Sequence, residues 1–321
     1  MKNNISFFEE LKELNTKITE SNSILILTHA SPDGDALGSV VALKLILKKM
    51  GKMADCLLEE VVPSRFPHLK NEFIIAKETD KIYDLVILVD CADRGRTNVC
   101  YPTPKCLACI DHHISNPMDM DINLVDATSS ATAELMYLLL KEWEITCDEQ
   151  IAGAIYTGIL TDTGGFLFSN TTKRTLSVVT ELLEYPFDRA NINRISFMEK
   201  TMTYSTLYAH LFDTLISLPE QKAVIGFIDY DTYTKYNASS DDTDGLSGVL
   251  RNISGIECAV LLTEREKGLI KGSVRTNDFY DANLLAKEFG GGGHLRAAGF
   301  KTTKTVTEIK EIIYEWLSSR Q

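Results

Sequence analysis

The feature that most constrains the fold is a short apolar run followed at once by a polar loop. The run is Ile24–Leu27, the loop covers residues 28–35, and residues 36–50 carry apolar side chains at helical spacing. This order predicts a strand, a tight loop and a helix. Gly34 suits the sharp turn, and Gly38 is predicted to let the helix pack close to the sheet. Such units build open α/β sheets, which bind ligands at the carboxyl ends of their strands.

The loop carries three side chains that are poor structural choices side by side: His29, Asp33 and Asp35. One imidazole and two carboxylates are costly to crowd unless a positive charge lies among them. A divalent Mn²⁺, Fe²⁺ or Zn²⁺ ion accepts these ligand types. The alternative is a helix cap plus an incidental histidine, and for Asp35 alone the cap is the better interpretation. For the three residues together we favour a metal site.

Length and apolar patterning predict a two-domain protein of the cytoplasm. With 321 residues, the chain is too long for one ordinary core. No apolar run is long enough to span a bilayer, so we expect no membrane partner. Residues 1–23 mix Phe7, Leu11 and other apolar side chains with Glu and Lys, which is typical of an amphipathic helix and not of a secretion signal.

Cysteine content and net charge disfavour two further classes of protein. The 7 cysteines are an odd number in apolar settings, which fits reduced thiols better than a disulfide framework. Cys106 and Cys109 have zinc-like spacing, but no second pair accompanies them, so a zinc ribbon is disfavoured. A formal net charge of −12 argues against nonspecific binding of long nucleic acid. A short phosphorylated molecule can still bind where metals and a few arginines supply positive charge.

Two further predicted strands end in polar clusters. Leu85–Val89 reads as a parallel strand buried on both faces, and Asp90 follows it directly. The next strand continues into Asp111, His112 and His113. A turn cap and surface histidines are the alternatives, but the chain has only 6 histidines, and an adjacent pair at a strand end is specific. One histidine can bind metal while the other faces a ligand, with Asp111 orienting the pair.

Residues 126–170 predict two helices with polar segments beside them. The hydroxyls of residues 128–130 precede a predicted helix at 131–143, where we interpret them as N-caps, with contact to a substrate phosphate as the alternative. A second apolar helix at 151–160 leads to Asp162 and a pair of glycines, which indicates a close approach of the backbone. A connecting helix is predicted over 188–212.

The pattern changes after residue 222. The predicted elements are a strand at 223–228, a helix at 245–253 and a strand pair at 258–263 and 269–275. Glycines 290–293 then precede His294 and Arg296. Four successive glycines free backbone amides to approach an anion. A flexible linker is the alternative, but a linker has no reason to continue into His, Arg and small residues.

Taken together, these clusters resemble the DHH phosphoesterase superfamily, which is named for an Asp-His-His motif. The segment containing His294 resembles the DHH-associated C-terminal domain, and the similarity covers almost the whole chain. The nearest branch is that of the nano-RNase and pAp phosphatase (NrnA-type) proteins. The resemblance implies an α/β fold with two domains: a largely parallel sheet flanked by helices, then a smaller α/β domain. Boundaries are expected at 1–186 for the DHH domain, 187–216 for a helical linker and 217–321 for the substrate-binding domain.

The resemblance also implies two divalent metal ions, with Mn²⁺ as the metal that the family suggests. One ion would bind His29, Asp33 and Asp90, and the other would bind Asp35, His112, Asp162 and Asp90. Two ions roughly 3.5–4 Å apart can share a hydroxide and clamp a phosphoryl group. His113 would face the scissile phosphate as a donor or acid.

In the second domain, the resemblance assigns nucleotide binding to an arginine and a glycine-rich turn. The residues are Arg275, Gly292, Gly293, His294 and Arg296. Arg94 and Arg96 follow the Asp90 loop and could reach phosphate, although solvated loop arginines are an equal alternative. A guanidinium fork suits a terminal phosphate.

The implied activity is hydrolysis of a phosphate ester on the 3′-oxygen of a nucleotide whose 5′-phosphate the second domain holds. Substrates would be dinucleotides such as pApA, short oligoribonucleotides and pAp. Alternatives with the same chemistry are a cyclic dinucleotide phosphodiesterase, a family II pyrophosphatase and a RecJ-like exonuclease. A nucleotide sensor without turnover is the alternative of a different class. The sequence leaves the oligomeric state open, a homodimer included.

Overall fold

The computed structural model describes residues 7–320, and the chain divides between Glu199 and Lys200 into two compact units. The helices and strands of the first unit are α1 (Phe7–Glu20), β1 (Ile24–Leu27), α2 (Gly34–Lys49), β2 (Ala54–Leu58), β3 (Ile74–Ile75), β4 (Leu85–Val89), β5 (Cys106–Asp111), β6 (Ile122–Val125), α3 (Thr132–Glu142), α4 (Glu149–Asp162), α5 (Lys173–Leu182) and α6 (Arg189–Asn193). The predicted N-terminal helix is confirmed over α1, and residues 1–6 of that prediction lie outside the described range.

The first unit contains one sheet of six strands in the order β3-β2-β1-β4-β5-β6. Every neighbouring pair is parallel, so the predicted parallel sheet is confirmed. The central strands β1 and β4 are buried along their whole length. Ile24 and Ile87 belong to the larger core with the helices, whereas Leu25 and Leu88 belong to a smaller cluster on the other face. This alternation explains why both runs are apolar at every position.

Helices α2 and α4 cross at unusually short range. A Cβ atom added at Gly38 would lie 2.4 Å from the backbone oxygen of Ala154, and one at Gly158 would lie 2.7 Å from a carboxylate oxygen of Asp35. Gly38 therefore permits close packing of α2 on α4, and the prediction that it packs on the sheet is wrong. The close crossing brings Asp35, near the start of α2, to the helix that ends at Asp162.

The connecting segment is not one helix. After α6, a π-helical turn covers Arg194–Met198, and the backbone of Glu199 is extended. Thr201 then caps the next helix, α7 (Met202–Asp213), since its side-chain oxygen accepts a hydrogen bond from the Tyr204 amide at 2.9 Å. The prediction of a continuous helix over 188–212 is corrected by this break.

The second unit contains a mixed sheet in the order β11-β12-β10-β9-β8-β7. Its elements are α7 (Met202–Asp213), β7 (Ile216–Leu218), β8 (Ala223–Ile228), α8 (Tyr230–Lys235), α9 (Leu246–Arg251), β9 (Cys258–Glu266), β10 (Leu269–Thr276), α10 (Ala282–Lys287), β11 (Gly292–His294), β12 (Ala297–Thr302) and α11 (Val306–Ser318). The pair β8–β9 is parallel and the other pairs are antiparallel. The predicted strand pair is confirmed as the β9–β10 hairpin.

Two further properties concern the whole described range. No helix within residues 7–320 has both the length and the apolar character that a membrane crossing needs. The seven cysteines, all inside this range, are free. Cys106 and Cys109 both lie in β5, and burial raises the pKa of each thiol.

Candidate metal centre

Three neighbouring strands deliver polar side chains to one edge of the first sheet. His29 lies two residues after β1, Asp90 follows β4 directly, and Asp111 is the last residue of β5. Since β1, β4 and β5 are adjacent and parallel, their carboxyl ends lie at the same edge. The side chains predicted from strand ends therefore meet.

The six predicted metal ligands form two groups that could each hold an ion. Within each group the ligand atoms lie within 4.8 Å of one another. The groups are His29 with Asp33 and Asp90, and Asp35 with His112 and Asp162. A third group joins Asp90, His112 and His113. Asp90 thus belongs to two groups, and His112 Nε2 lies 3.9 Å from Asp90 Oδ1 and 3.6 Å from Asp162 Oδ2.

The histidine hydrogen bonds show which ring nitrogens are available to an ion. His29 Nδ1 lies 2.9 Å from the carbonyl oxygen of Ala30, and His112 Nδ1 lies 3.2 Å from that of Ser129. A carbonyl oxygen only accepts, so each Nδ1 carries the hydrogen and each Nε2 presents a lone pair. Both Nε2 atoms face carboxylates. Lone pairs facing carboxylates need a cation or a proton between them.

Burial and charge act strongly on the carboxylates of this cluster. Burial, followed by the charges of Asp90 and Asp162, raises the pKa of Asp35 well above its ordinary value. Burial also raises the pKa of Asp162 to about 6. His112 opposes this rise, whereas the charges of Asp33 and Asp90 add to it. For Asp90, burial raises the pKa, but the neighbouring His29, His113 and His112 lower it overall. The cluster is short of positive charge, which divalent ions would supply.

Asp90 is held in a constrained conformation. Its φ of +55° lies in the left-handed region, which Asp tolerates better than most residues. Its amide donates to the Ile110 carbonyl oxygen at 2.9 Å, and Thr132 Oγ1 donates to Asp90 Oδ1 at 2.8 Å. Backbone strain of this kind persists where the surroundings fix it, often at functional sites.

The two aspartates of the first loop bind different helix N-termini. Asp33 caps its own helix, with Oδ1 accepting from the amides of Asp35 and Ala36 at 3.0 Å. Asp35 instead caps α3, where its carboxylate accepts from the Thr132 and Ala133 amides at 2.7 and 2.9 Å. The prediction that the hydroxyls of residues 128–130 cap this helix is therefore wrong. A carboxylate distant in sequence takes their place.

Those hydroxyls belong to a network around Glu134, a residue that the sequence analysis missed. Glu134 is fully buried, and its Oε2 accepts from the Ser130 amide at 3.1 Å, the Ser130 hydroxyl at 2.7 Å and the Thr175 hydroxyl at 3.0 Å. Its other oxygen accepts from Arg174, which also donates to Ser129 Oγ. The network fixes the segment that supplies the Ser129 carbonyl to His112 and the Thr132 hydroxyl to Asp90. The available signal in the sequence was the spacing, because Glu134 lies four residues after Ser130 and can reach back to it from the first turn of a helix.

Asp111 organises the second histidine. It is fully buried, and its Oδ1 accepts from the His112 amide at 2.9 Å and from His113 Nδ1 at 2.7 Å. Asn116 donates to Oδ2 at 2.7 Å. The hydrogen bond to Asp111 raises the pKa of His113 to about 9. Burial opposes this rise, and the charge of Asp90 adds to it. Asp111 therefore orients His113 and stabilises its protonated form, with Nε2 as the nitrogen left for a ligand.

Asp162 ends α4, and the glycines after it shape the following loop. Gly164 and Gly165 have φ values of +58° and +71°, which favour glycine. A Cβ at Gly164 would lie 2.4 Å from the Phe168 ring. Asn170 Nδ2 donates to the carbonyl oxygens of Ser130 and Asp162 at 3.0 and 3.1 Å. Gly164 thus permits close packing of the Phe168 ring in the loop after Asp162.

The arginines after β4 have structural partners. The guanidinium of Arg94 lies 5.0 Å from the centroid of the Tyr101 ring. The carbonyl oxygen of Arg96 accepts from the Ala30 amide at 2.8 Å, which ties this loop to the His29 loop. These contacts support the loop on which Asp90 lies.

In the second unit, Arg275 and His294 lie on one face of the sheet. His294 is paired with Ala297, and Ala297 with Arg275, in antiparallel register. Directly opposed residues point to the same face, so the two side chains share it, two strand spacings or about 10 Å apart. Burial, followed by Arg251, lowers the pKa of Arg275. Arg296 instead donates to the Tyr280 carbonyl oxygen at 3.2 Å.

The glycines before His294 are required mainly by packing. A Cβ at Gly291 would lie 2.3 Å from the Gly299 carbonyl oxygen, and one at Gly293 would lie 2.6 Å from the Ala297 carbonyl oxygen. The amides of Gly290 and Gly291 donate to carbonyl oxygens of α10, and that of Gly293 donates to Asn283 Oδ1 at 3.0 Å. The prediction of amides available to an anion is wrong for these three glycines. A Cβ at Gly292 would have only Asn283 Oδ1 nearby, at 3.6 Å.

Comparison with known proteins agrees with the division into two units. Residues 23–159 match the model of the DHH family N-terminal domain, and residues 220–319 match the DHHA1 domain. The bifunctional oligoribonuclease and PAP phosphatase NrnA of Thermus thermophilus is 32% identical over 277 residues, covering 86% of this chain and 83% of that protein.

Two solved structures share the fold. An exopolyphosphatase-related protein from Bacteroides fragilis has a TM-score of 0.88 at 22% identity, over 99% of this chain and 98% of that one. The RecJ structure from Thermus thermophilus in complex with Mn²⁺ has a TM-score of 0.56 at 13% identity, over 98% of this chain and 55% of that one. The sequence match over both domains shows that the chain belongs to the DHH family of phosphoesterases.

Proposed function

We propose that the protein hydrolyses phosphate esters on the 3′-oxygen of short nucleotides. Dinucleotides such as pApA and short oligoribonucleotides would give nucleoside 5′-monophosphates, and pAp would give AMP and phosphate. The observation that carries the proposal is the meeting of two ligand groups at one sheet edge, where Asp90 of one group lies 3.9 Å from His112 Nε2 of the other. The name of the Thermus thermophilus relative supports the choice of substrates.

We propose two divalent ions, with Mn²⁺ preferred, as the cofactors of this centre. His29, Asp33 and Asp90 would hold one, and Asp35, His112 and Asp162 the other, with Asp90 shared. Carboxylate oxygens and imidazole nitrogens suit Mn²⁺, and the bare Nε2 atoms and crowded carboxylates fit a cation. When bound, such ions supply a nucleophilic hydroxide and stabilise charge on the phosphoryl oxygens.

The residues of the chain then have separate tasks. Asp90 and its Thr132 hydrogen bond fix the shared ligand oxygen. Asp111 keeps the His113 ring oriented through the 2.7 Å bond to Nδ1, so His113 Nε2 can donate a proton or hydrogen bond to the phosphate ester. In the second unit, Arg275 and His294 would bind the terminal 5′-phosphate of the substrate, for which a guanidinium is well suited.

The test is a comparison of turnover on pApA, pAp, a short RNA ladder, c-di-AMP, pyrophosphate and a long RNA. We expect turnover of pApA and pAp that requires Mn²⁺ and is abolished when metal is removed and confirmed absent by elemental analysis. Asp90→Asn should lose activity and metal content together. Faster turnover of c-di-AMP or pyrophosphate would replace the substrate assignment, and binding without turnover would indicate a nucleotide sensor.

A further inference from the structure

A cavity of about 200 Å³ adjoins the candidate metal centre within the first unit. It shares Asp33 with the centre, and Thr161, which also lines it, directly precedes Asp162. One metal ligand, Asp33, therefore belongs to the wall of the cavity, and the chain reaches a second, Asp162, one residue after the wall residue Thr161. The volume is smaller than the roughly 300–1,000 Å³ of pockets that enclose a whole drug-sized ligand. It suits one flat ring system rather than a complete dinucleotide.

The remaining wall of the cavity combines a guanidinium with aromatic rings. Arg65 and Phe66 line it, and the guanidinium carbon of Arg65 lies 5.2 Å from the centroid of the Phe66 ring. Phe66 is 1% exposed, so it gives the arginine a fixed support. Phe197 also lines the cavity, and 41% of its surface is exposed. Its ring lies 3.9 Å from the position that a Cβ atom on Gly165 would take.

This chemistry matches a nucleoside. An exposed aromatic ring offers a stacking surface for any base, and the positive charge of an arginine on the same cavity wall attracts the phosphate that is attached to the nucleoside. The cavity is built entirely from residues of the first unit. It therefore suits a nucleoside that is attached to the attacked phosphate and has no need to contact Arg275.

We propose that this cavity is the subsite for the second nucleoside of a dinucleotide, the one that stays esterified to the attacked phosphate. The inference rests on the proposed function. On that reaction, pApA and pAp differ by this single nucleoside, so Phe197 and Arg65 would act as specificity residues that favour dinucleotides over pAp.

The experiment is a ratio of kcat/KM for pApA to kcat/KM for pAp, measured with full-length enzyme and Mn²⁺. Phe197→Ala should lower this ratio roughly five- to a hundredfold, which is the range for loss of one stacked base. Phe197→Trp should keep the ratio, because the stacking surface remains. Phe8→Ala is the matched control, since Phe8 in α1 is exposed at 58% but lies outside the cavity wall, and its ratio should equal that of wild type.

A second measurement needs no variant. Wild-type enzyme should lose a similar factor on a pApA analogue whose second nucleotide has no base. If the ratio is unchanged in Phe197→Ala, or if wild-type enzyme acts on the abasic analogue at the rate seen with pApA, the subsite is overturned and the proposed function remains intact. A wild-type enzyme that turns over neither pApA nor pAp defeats the proposed function, and the subsite with it.

Discussion

His112 and His113 are neighbours in sequence but are held by chemically different partners. The ring of His112 donates to a neutral carbonyl and turns its bare Nε2 toward Asp35, Asp90 and Asp162. The ring of His113 donates to the buried carboxylate of Asp111, which favours the protonated form. One residue is thereby prepared to bind a cation, and the other to donate.

This difference predicts separable effects of two substitutions. His112→Ala should lower both Mn²⁺ content and rate, because a ligand is lost. His113→Ala should retain the metal and lose rate roughly a hundredfold or more, as expected for an acid or electrostatic contact. Elemental analysis beside steady-state kinetics measures both quantities. The reverse pattern of metal loss would exchange the two roles.

Glu134 allows a prediction about support of the centre. Glu134→Gln places a donor opposite the Ser130 amide and removes the charge that pairs with Arg174. Because Arg174 is partly exposed, we expect a loss of about 2 to 3 kcal/mol in the free energy of unfolding, together with weaker Mn²⁺ binding. Urea unfolding and metal titration measure these quantities.

The matched control is Glu181→Gln, which breaks the surface pair with Lys141. It should change stability by less than about 0.5 kcal/mol and leave metal affinity unchanged. Comparable losses in both variants would show that Glu134 has no special role beneath the metal centre.

The ligands that follow strands, Asp90 and His112 among them, could be predicted from the sequence because parallel strands end at a common edge, whereas only the resemblance to the DHH family assigned Asp162, which ends helix α4. Thr132 could not, since its partner Asp90 lies about 40 residues away along the chain. Glu134 has one local partner, Ser130, but Thr175 and Arg174, which complete its network, also lie about 40 residues away, and only the tertiary fold brings them together. The prediction of the α3 caps was wrong for the same reason. Local propensity favoured nearby hydroxyls, whereas the fold placed the Asp35 carboxylate at that helix end.

At the scale of elements, the crossing of α2 and α4 determines where Asp35 and Asp162 lie. Gly38 lies at the contact, and a Cβ atom added there would lie 2.4 Å from the backbone oxygen of Ala154. Because that atom belongs to the backbone, no rotamer change can relieve the clash. Gly38→Ala should therefore cost about 1 to 3 kcal/mol of stability by overpacking and reduce Mn²⁺ affinity by displacing Asp35.

Gly248 in α9 provides the comparison for the same chemical change. An added Cβ there meets nothing within 4 Å, so Gly248→Ala should stabilise the protein by about 0.5 to 1 kcal/mol through helix propensity. Thermal or urea unfolding of both variants measures the sign of the change in the free energy of unfolding for each. Destabilisation by both would mean that helical glycine content, and not the α2–α4 crossing, controls stability.

At the scale of the molecule, a chain of net charge −12 has to bind anionic substrates. The sheet face of the second unit concentrates positive charge, because Lys271, Lys301 and Arg275 lie on it by strand register. Burial, then Arg265 and Lys301, lowers the pKa of Lys271, which indicates crowding of like charges. A local positive face on an acidic protein favours a short polyanion over a long one.

This distribution predicts how kcat/KM depends on salt. A plot of log kcat/KM against log salt concentration falls more steeply when salt screens more charge–charge attractions between enzyme and substrate. If Arg275 binds the 5′-phosphate, Arg275→Gln should make the slope for pApA shallower. With ApA, which has no 5′-phosphate, the same variant should keep the wild-type slope. Arg320→Gln removes one positive charge at the end of α11 and should leave both slopes unchanged, since no contact to phosphate is lost. Equal changes for pApA and ApA would place Arg275 on the attacked phosphate, and a change in the Arg320 variant would attribute the effect to net charge.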